Sequence, residues 1–303
     1  MCNKNFIISI IVPTYNRSAI IHRAVNSIKK QTFVEWECII VDDYSTDKTE
    51  EVVHSLIKDD HRFVYLKNIR RKGAPGARNT GILASRGEYI VLFDSDNVMH
   101  PDFLSKVYTK LKKEGVNICG SFSRVYKEGE EIQTGSFQWE GYGDIHTKLL
   151  SSKTYFDNSS TLIEKTKLLS IGLLDERCPS YQEWDTHIQL SNISTYTTVR
   201  EELIDYYRGG VDTLSKSVAK AVMGRLYILN KYKNEFRLKT PISYILHCLA
   251  TYVLIKDRLD EESCVYYLQS YKETTKGYHL IVWPLYMMRK VKRKLLKLNH
   301  CNE

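Results

Sequence analysis

Apolar residues come in short runs over the first hundred positions, and each run stops abruptly at polar residues. Phe6–Val12, Glu37–Val41 and Glu88–Phe93 have the length and β-branched content of buried strands. They lead into Pro13-Thr14-Tyr15-Asn16, Asp42-Asp43-Tyr44-Ser45 and Asp94-Ser95-Asp96. Between them, Ser18–Lys30 spaces Ile20, Ile21, Ala24, Val25 and Ile28 as one helical face, with Ser18 set to cap its start. Thr46–Lys58 repeats the pattern through Val52, Val53, Leu56 and Ile57. Phe63–Leu66 reads as another short strand, Arg70–Gly76 as a basic loop and Ala77–Ser85 as a short helix. Pro101–Lys113 reads as a helix with proline at a favoured first position. This alternation predicts an α/β fold with a mostly parallel sheet and right-handed crossovers. Ligands of such sheets bind beyond the carboxyl ends of the strands. The aspartates collect there.

After about 117 the pattern changes. Ile118–Tyr126 and Glu131–Phe137 resemble antiparallel or edge strands, Thr161–Glu164 a short strand leading to a helix, and Gln182–Ser191 a helix following a loop. From about 214 the chain reads as helices rich in tyrosine and lysine. The predicted organisation is an α/β domain over 1–212, in two halves of about 1–116 and 117–212, followed by a helical region over 213–303.

A chain of 303 residues with a hydrophobic fraction of 43% can bury a full core. The net charge of +8 is moderate, and no recognisable nucleic-acid motif accompanies the basic residues, so a nucleic-acid partner is not expected. Seven scattered cysteines form no Cys-x-x-Cys pair, which speaks against structural zinc or a disulfide framework and suits a reducing cytoplasm. Neither a secretion signal nor a run of the ~20 apolar residues needed to cross a bilayer is visible. A cytoplasmic protein is expected.

Asp94 and Asp96, one residue apart beyond a buried strand, can aim at one hard divalent cation such as magnesium or manganese; they can equally cap the next helix. Of Asp42 and Asp43, one is expected to shape the turn, and the other can accept from a uracil N3–H or from ribose hydroxyls. Tyr15 offers an aromatic face to a base. The loop Lys72–Gly81 lacks both common phosphate-binding glycine spacings, which argues against a dinucleotide enzyme and a phosphate-loop ATPase. Arg78 is still placed to reach a diphosphate.

The blocks IVPTYNR, QTFVEWECIIVDDYSTDKT, GAPGARNTGI, GEYIVLFDSDN and YQEWD, in order across residues 6–210, resemble the family 2 glycosyltransferases of GT-A (Rossmann-like) fold. The resemblance implies that Pro13, Thr14 and Tyr15 meet the nucleotide, that Asp43 meets the uracil, and that Arg78, Asp94, Ser95 and Asp96 serve the sugar diphosphate. It further implies a Mn2+ or Mg2+ cofactor held by Asp96 and Asp94, and Glu183 as the general base of an inverting transfer, with Asp185 as the rival base or a helix cap. Asp157-Asn158-Ser159-Ser160, before a short strand, lies where such enzymes often face the acceptor or else forms a plain turn. Asn158, Ser159 and Trp184 are the candidates to face the acceptor, Trp184 with a packing role as its alternative.

Two departures stand out. Tyr207-Arg208-Gly209-Gly210 has glycine where many relatives carry a metal-binding histidine, leaving Asp212 and His187 as weak substitutes, and Gln182 replaces the first carboxylate of the usual pair. The implied reaction takes a hexose or N-acetylhexosamine from a UDP-sugar to a saccharide hydroxyl. The implied acceptor is lipid-linked, on a carrier such as undecaprenyl diphosphate, in capsule or O-antigen assembly. A non-catalytic sugar-nucleotide or glycan-binding protein on the same fold is the alternative, and homo-oligomerisation is left open.

Between Glu273 and Glu303 the chain carries seven lysines and arginines and no acid, interleaved with Tyr278, Trp283, Tyr286, Met287 and Met288. Such a helical arm suits the anionic inner face of a cell membrane, or else packs on the protein or a second copy.

Overall fold

The computed structural model describes residues 6–127, 130–134, 145–151, 156–208, 217–275, 277–278 and 280–288. Each predicted apolar run in the first hundred residues is a strand: β1 (Ile8–Thr14), β2 (Trp36–Asp42), β3 (Phe63–Lys67) and β4 (Tyr89–Leu92). They pair in parallel in the order β3-β2-β1-β4. All four therefore end at one edge, which brings Thr14, Asp42 and the residues after Leu92 together. Helices α1 (Ile21–Lys29), α2 (Thr49–Ile57), α3 (Ala74–Ala84) and α4 (Phe103–Glu114) make the crossovers. Ile10, Val12, Ile40, Val91, Phe93 and Phe103 are among the fully buried core residues.

Several boundaries differ from the sequence reading, each for a local reason. Helix α1 begins at Ile21 because Ser18 gives both its amide and its hydroxyl to Asp47, leaving the helix start without a side-chain cap. Helix α4 starts at Phe103, beyond Pro101 and the N-cap Asp102. Helix α3 starts earlier, at Ala74: Gly73 adopts φ 128°, a conformation glycine reaches without strain, and Pro75 fits the first turn. Gly81 lets α3 lie on the sheet, since a Cβ there would stand 2.3 Å from Ile11 Cγ2.

Past α4 the sheet becomes mixed. Strand β8 (Thr161–Glu164) runs antiparallel to β4 and to β6 (Ile118–Lys127), β6 runs parallel to β9 (Tyr196–Arg208), and β7 (Glu130–Thr134) pairs with β6. The two-residue β5 (Val98–Met99) pairs with β9. The sequence reading missed β9, a strand of 13 residues. The charged stretch Arg200-Glu201-Glu202 hides its alternation, and the pairing with β6 shifts register twice beside it. The antiparallel entry of β8 has the larger consequence. Leu162 faces Val91, so residues 157–160 lie against the segment that follows β4. Helices α5 (Ile145–Leu150), α6 (Lys165–Ser170) and α7 (Gln182–Leu190) complete this part of the chain.

Two compact units result: Met1–Leu149 with Lys153–Arg177 and Gln182–Val211, and Leu150–Ser152 with Cys178–Tyr181 and Asp212–Glu303. The second is helical, with α8 (Val218–Lys231), α9 (Lys233–Lys239), α10 (Pro241–Arg258), α11 (Glu261–Thr275) and a further helix over 280–288. Aromatic rings hold it together, Tyr244 against Phe236 and Tyr278, and Tyr252 against Tyr271 and Tyr286. Cys38, Cys119, Cys178 and Cys248 are buried, a placement that suits cysteines acting as small hydrophobes.

Candidate active site

At the carboxyl edge the two adjacent aspartates have different tasks. Asp42 accepts from the amide and hydroxyl of Ser45 and from Lys67 Nζ at 2.9 Å, so it shapes the turn. Asp43 Oδ1 accepts from Asn68 Nδ2 at 2.7 Å and Oδ2 from the Gly73 amide at 2.8 Å, while its own amide donates to the Thr14 carbonyl. Each carboxylate oxygen of Asp43 keeps a second lone pair for a ligand. The Asp43 carboxylate is thereby locked in orientation between β1, β2 and the loop into α3. Tyr15 is 43% exposed, its ring covered on one side by Lys72 Nζ at 4.9 Å from the centroid. Thr14 Oγ1 and Asn97 Oδ1 are buried without a hydrogen-bond partner among the described residues.

The centre of the cluster is the buried Arg78. Its Nη2 donates to Asp94 Oδ1 at 2.7 Å and its Nη1 to Gln182 Oε1 at 3.1 Å, with Glu183 Oε1 at 3.7 Å from Nη1. Burial works against the Arg78 charge, but Asp94 and Glu183 outweigh it and hold its pKa above the ordinary value. Glu183 Oε1 also accepts from Asn158 Nδ2 at 3.2 Å. Asp157, buried, accepts from the Ser159 amide at 2.8 Å.

Burial first, then the charges of Asp94 and Glu183, push the Asp157 carboxyl up to about 7. Burial and then Asp94 push Asp96 up to about 6, against the pull of Arg17 and Arg78. Tyr206 on β9 is held well above the usual phenol range by burial and by the charges of Asp157, Asp94, Glu183 and Asp96. Carboxylates outnumber cations here. The site is short of positive charge.

That shortage has a measurable consequence. In the folded state Asp157 keeps a proton that the unfolded chain loses near pH 4, so the contribution of this group to stability falls as pH rises from about 4 towards 7. Asp157→Asn is expected to raise the melting temperature of the metal-free protein by a few degrees at about pH 8, and to change it little at about pH 5. Thermal unfolding of both proteins at the two pH values checks this. Equal pH dependence in parent and variant would refute it.

The structure brings most of the sequence candidates together and reassigns others. Ser159 is fully buried, its hydroxyl accepting from the Asp94 amide at 3.1 Å and Asn97 Nδ2 at 3.0 Å, so it positions the Asp-Ser-Asp turn and presents no surface to an acceptor. Trp184 is buried with Nε1 donating to the Leu149 carbonyl at 2.8 Å, a packing position. Asp185 is not a helix cap: it lies inside α7, is 1% exposed, and accepts from Gln189 Nε2 at 3.1 Å. His187 is no stand-in metal ligand. It packs against Phe156 and Tyr196, and burial pushes its pKa down to about 3. Asp212, Gly209 and Gly210 lie outside the described residues.

Asp94 and Asp96 carry hard oxygens, and the mutual repulsion that raises Asp96 is what a divalent cation relieves, so the donor set fits Mg2+ or Mn2+. Among the described residues no third histidine, cysteine or carboxylate converges with them. Remaining coordination positions would fall to a diphosphate and water. Asp157 and Tyr206 were missed by the sequence reading as members of this cluster. Asp157 was legible only as the first residue of Asp-Asn-Ser-Ser, and Tyr206 sits in the overlooked strand.

A parallel half-sheet joined to a mixed half, with carboxylates at its switch edge, is the fold of the GT-A glycosyltransferases. The chain belongs to glycosyl transferase family 2, whose model matches residues 9–170, and it is a glycosyltransferase. It is 27% identical over 252 residues to the GalNAc(5)-diNAcBac-PP-undecaprenol beta-1,3-glucosyltransferase of Campylobacter jejuni, spanning 81% of this chain and 80% of that one. It is 28% identical over 225 residues to the Escherichia coli UDP-Glc:alpha-D-GlcNAc-diphosphoundecaprenol beta-1,3-glucosyltransferase WfaP, over 74% and 85% of the two chains. The crystal structure of Staphylococcus aureus TarS 1-349 in complex with UDP-GlcNAc superposes with a TM-score of 0.61 at 16% identity, over 91% of this chain and 92% of that one. Membership in an enzyme family sets aside the binding-only reading.

Proposed function

We propose that this enzyme transfers a hexose or N-acetylhexosamine from a UDP-sugar to a hydroxyl of a lipid-linked saccharide, with inversion, in bacterial surface-polysaccharide assembly. The observation that carries the reading is the cluster in which Arg78 bridges Asp94 to Gln182 and Glu183 at the carboxyl edge of the sheet. Two relatives whose names specify undecaprenol-linked substrates support the acceptor class, and the named UDP-sugars support the donor.

In this proposal Asp43 uses a free lone pair for the uracil N3–H, and Tyr15 lies along the base. Asp94 and Asp96 would hold a Mn2+ or Mg2+ ion, which when bound neutralises charge on the diphosphate. Arg78 adds a fixed positive charge as the bond from the anomeric carbon to the β-phosphate oxygen breaks and UDP leaves. Glu183 accepts the proton of the acceptor hydroxyl while the hydroxyl oxygen bonds the anomeric carbon from the face opposite the leaving UDP. Asn158 and Arg78 orient the Glu183 carboxylate. Gln182 gives Arg78 an acceptor without adding a further negative charge. No helix among the described residues is long and apolar enough to cross a membrane, and we propose peripheral association with the inner face.

A donor screen tests this directly. UDP release is measured with UDP-glucose, UDP-galactose and their N-acetyl forms, with undecaprenyl-diphosphate-linked or soluble saccharide acceptors. Acceptor-dependent release with at least one UDP-sugar, restored by Mn2+ or Mg2+ after chelation, is the expected result. Release unaffected by chelator would remove the metal from the proposal, and exclusive use of another nucleotide would remove UDP.

A further inference from the structure

We propose that the outward side of the helix over 280–288 is the surface by which this protein lies on an anionic lipid membrane. The proposal goes beyond the transfer reaction and rests on the lipid-linked acceptor reading for its purpose, not for its evidence.

The helix uses two residues four apart to dock on its own unit. Val282 and Tyr286 are buried, the Tyr286 hydroxyl donates to Asp257 Oδ1 at 2.7 Å, and its ring stands 5.1 Å from that of Tyr252. The opposite side would ordinarily carry charged residues facing water. Here it carries none: residues 280–288 read Leu-Ile-Val-Trp-Pro-Leu-Tyr-Met-Met. Leu280 is 71% exposed, Trp283 56% and Met287 41%, at the i, i+3, i+7 spacing of one face, with Ile281 and Met288 beside them. Contiguous exposed apolar surface of this kind marks an interaction site.

The sequence that follows selects the occupant. Arg289, Lys290, Lys292, Arg293, Lys294 and Lys297 come next, and no acid appears before Glu303. A cationic run adjoining an apolar face with an indole complements an anionic lipid surface, where tryptophan sits at the headgroup level and basic residues meet phosphate. A second copy carries the same cationic run and the same net charge of +8, so like charge opposes its docking on this face.

Flotation of the full chain with vesicles provides the test, using phosphatidylcholine alone and phosphatidylcholine with about one-third phosphatidylglycerol. The parent is expected to float with the anionic vesicles, less so as salt is raised. The combined variant Leu280→Gln, Trp283→Gln and Met287→Gln, which changes only exposed side chains, is expected to bind them at least about tenfold more weakly. Brominated lipid should quench the indole of Trp283, and Trp283→Phe should lose that quenching while keeping most of the binding.

Equal flotation of the triple variant and the parent would overturn the proposal. So would a parent that ignores anionic vesicles, or one that instead self-associates through this face. UDP binding in solution should be the same in all of these proteins. Its absence throughout would count against the donor reading and leave the vesicle result standing.

Discussion

Glu183→Gln is expected to lower the rate of sugar transfer by about two to four orders of magnitude while leaving UDP affinity close to that of the parent. The substitution keeps the shape of the side chain and a carbonyl oxygen able to accept from Asn158 Nδ2, which stands 3.2 Å away in the parent. The capacity to take a proton is lost, together with one negative charge 3.7 Å from Arg78 Nη1. A base that acts in the transition state affects kcat and kcat/KM together, so the KM for the donor should change little. Asp185→Asn supplies the contrast. The Asp185 carboxylate is buried and accepts from Gln189, so its replacement should alter stability more than turnover. Full activity in Glu183→Gln, measured as UDP release with acceptor present, would move the base elsewhere.

Arg78→Ala is expected to cost about 3–5 kcal/mol of stability near neutral pH, because it strips the buried cation from a ring of carboxylates. Asp94 would lose its 2.7 Å partner, and Glu183 and Gln182 would lose theirs. The pH dependence distinguishes this from simple loss of packing. Asp157 and Asp96 already sit at about 7 and about 6 with the arginine present, and without it their carboxyls are driven higher still. Protonation then relieves the repulsion, so the deficit should shrink as pH falls from about 8 to about 5. Denaturant unfolding of parent and variant at both pH values reads the difference. A deficit independent of pH would mean that Arg78 acts mainly through its packing, and Mn2+ should recover part of the loss if the carboxylates are the cause.

The two outcomes separate roles that adjacency in the structure blurs. Glu183 and Arg78 lie within 3.7 Å of each other, yet one substitution is expected to stop the reaction in a folded protein and the other to weaken the fold itself. The difference follows from burial. Glu183 retains 23% side-chain exposure towards the site, whereas Arg78 retains 4%.

Much of this was written locally. Apolar runs bounded by turn residues specified β1 to β4, their parallel sense and the edge at which Asp43 and Asp94 emerge, because strand length, alternation and punctuation act over a few residues. What the chain could not disclose from local pattern were the meetings. Asn158 reaches Glu183 only because β8 enters antiparallel beside β4, Gln182 reaches Arg78 across 104 positions, and Tyr206 joins through a strand whose charged middle masks its character. The same holds for Ser159 and Trp184, whose polar or aromatic character suggested contact with an acceptor until their burial and partners were known. Pairing between distant segments depends on how whole elements pack, and leaves no mark in the spacing of nearby residues.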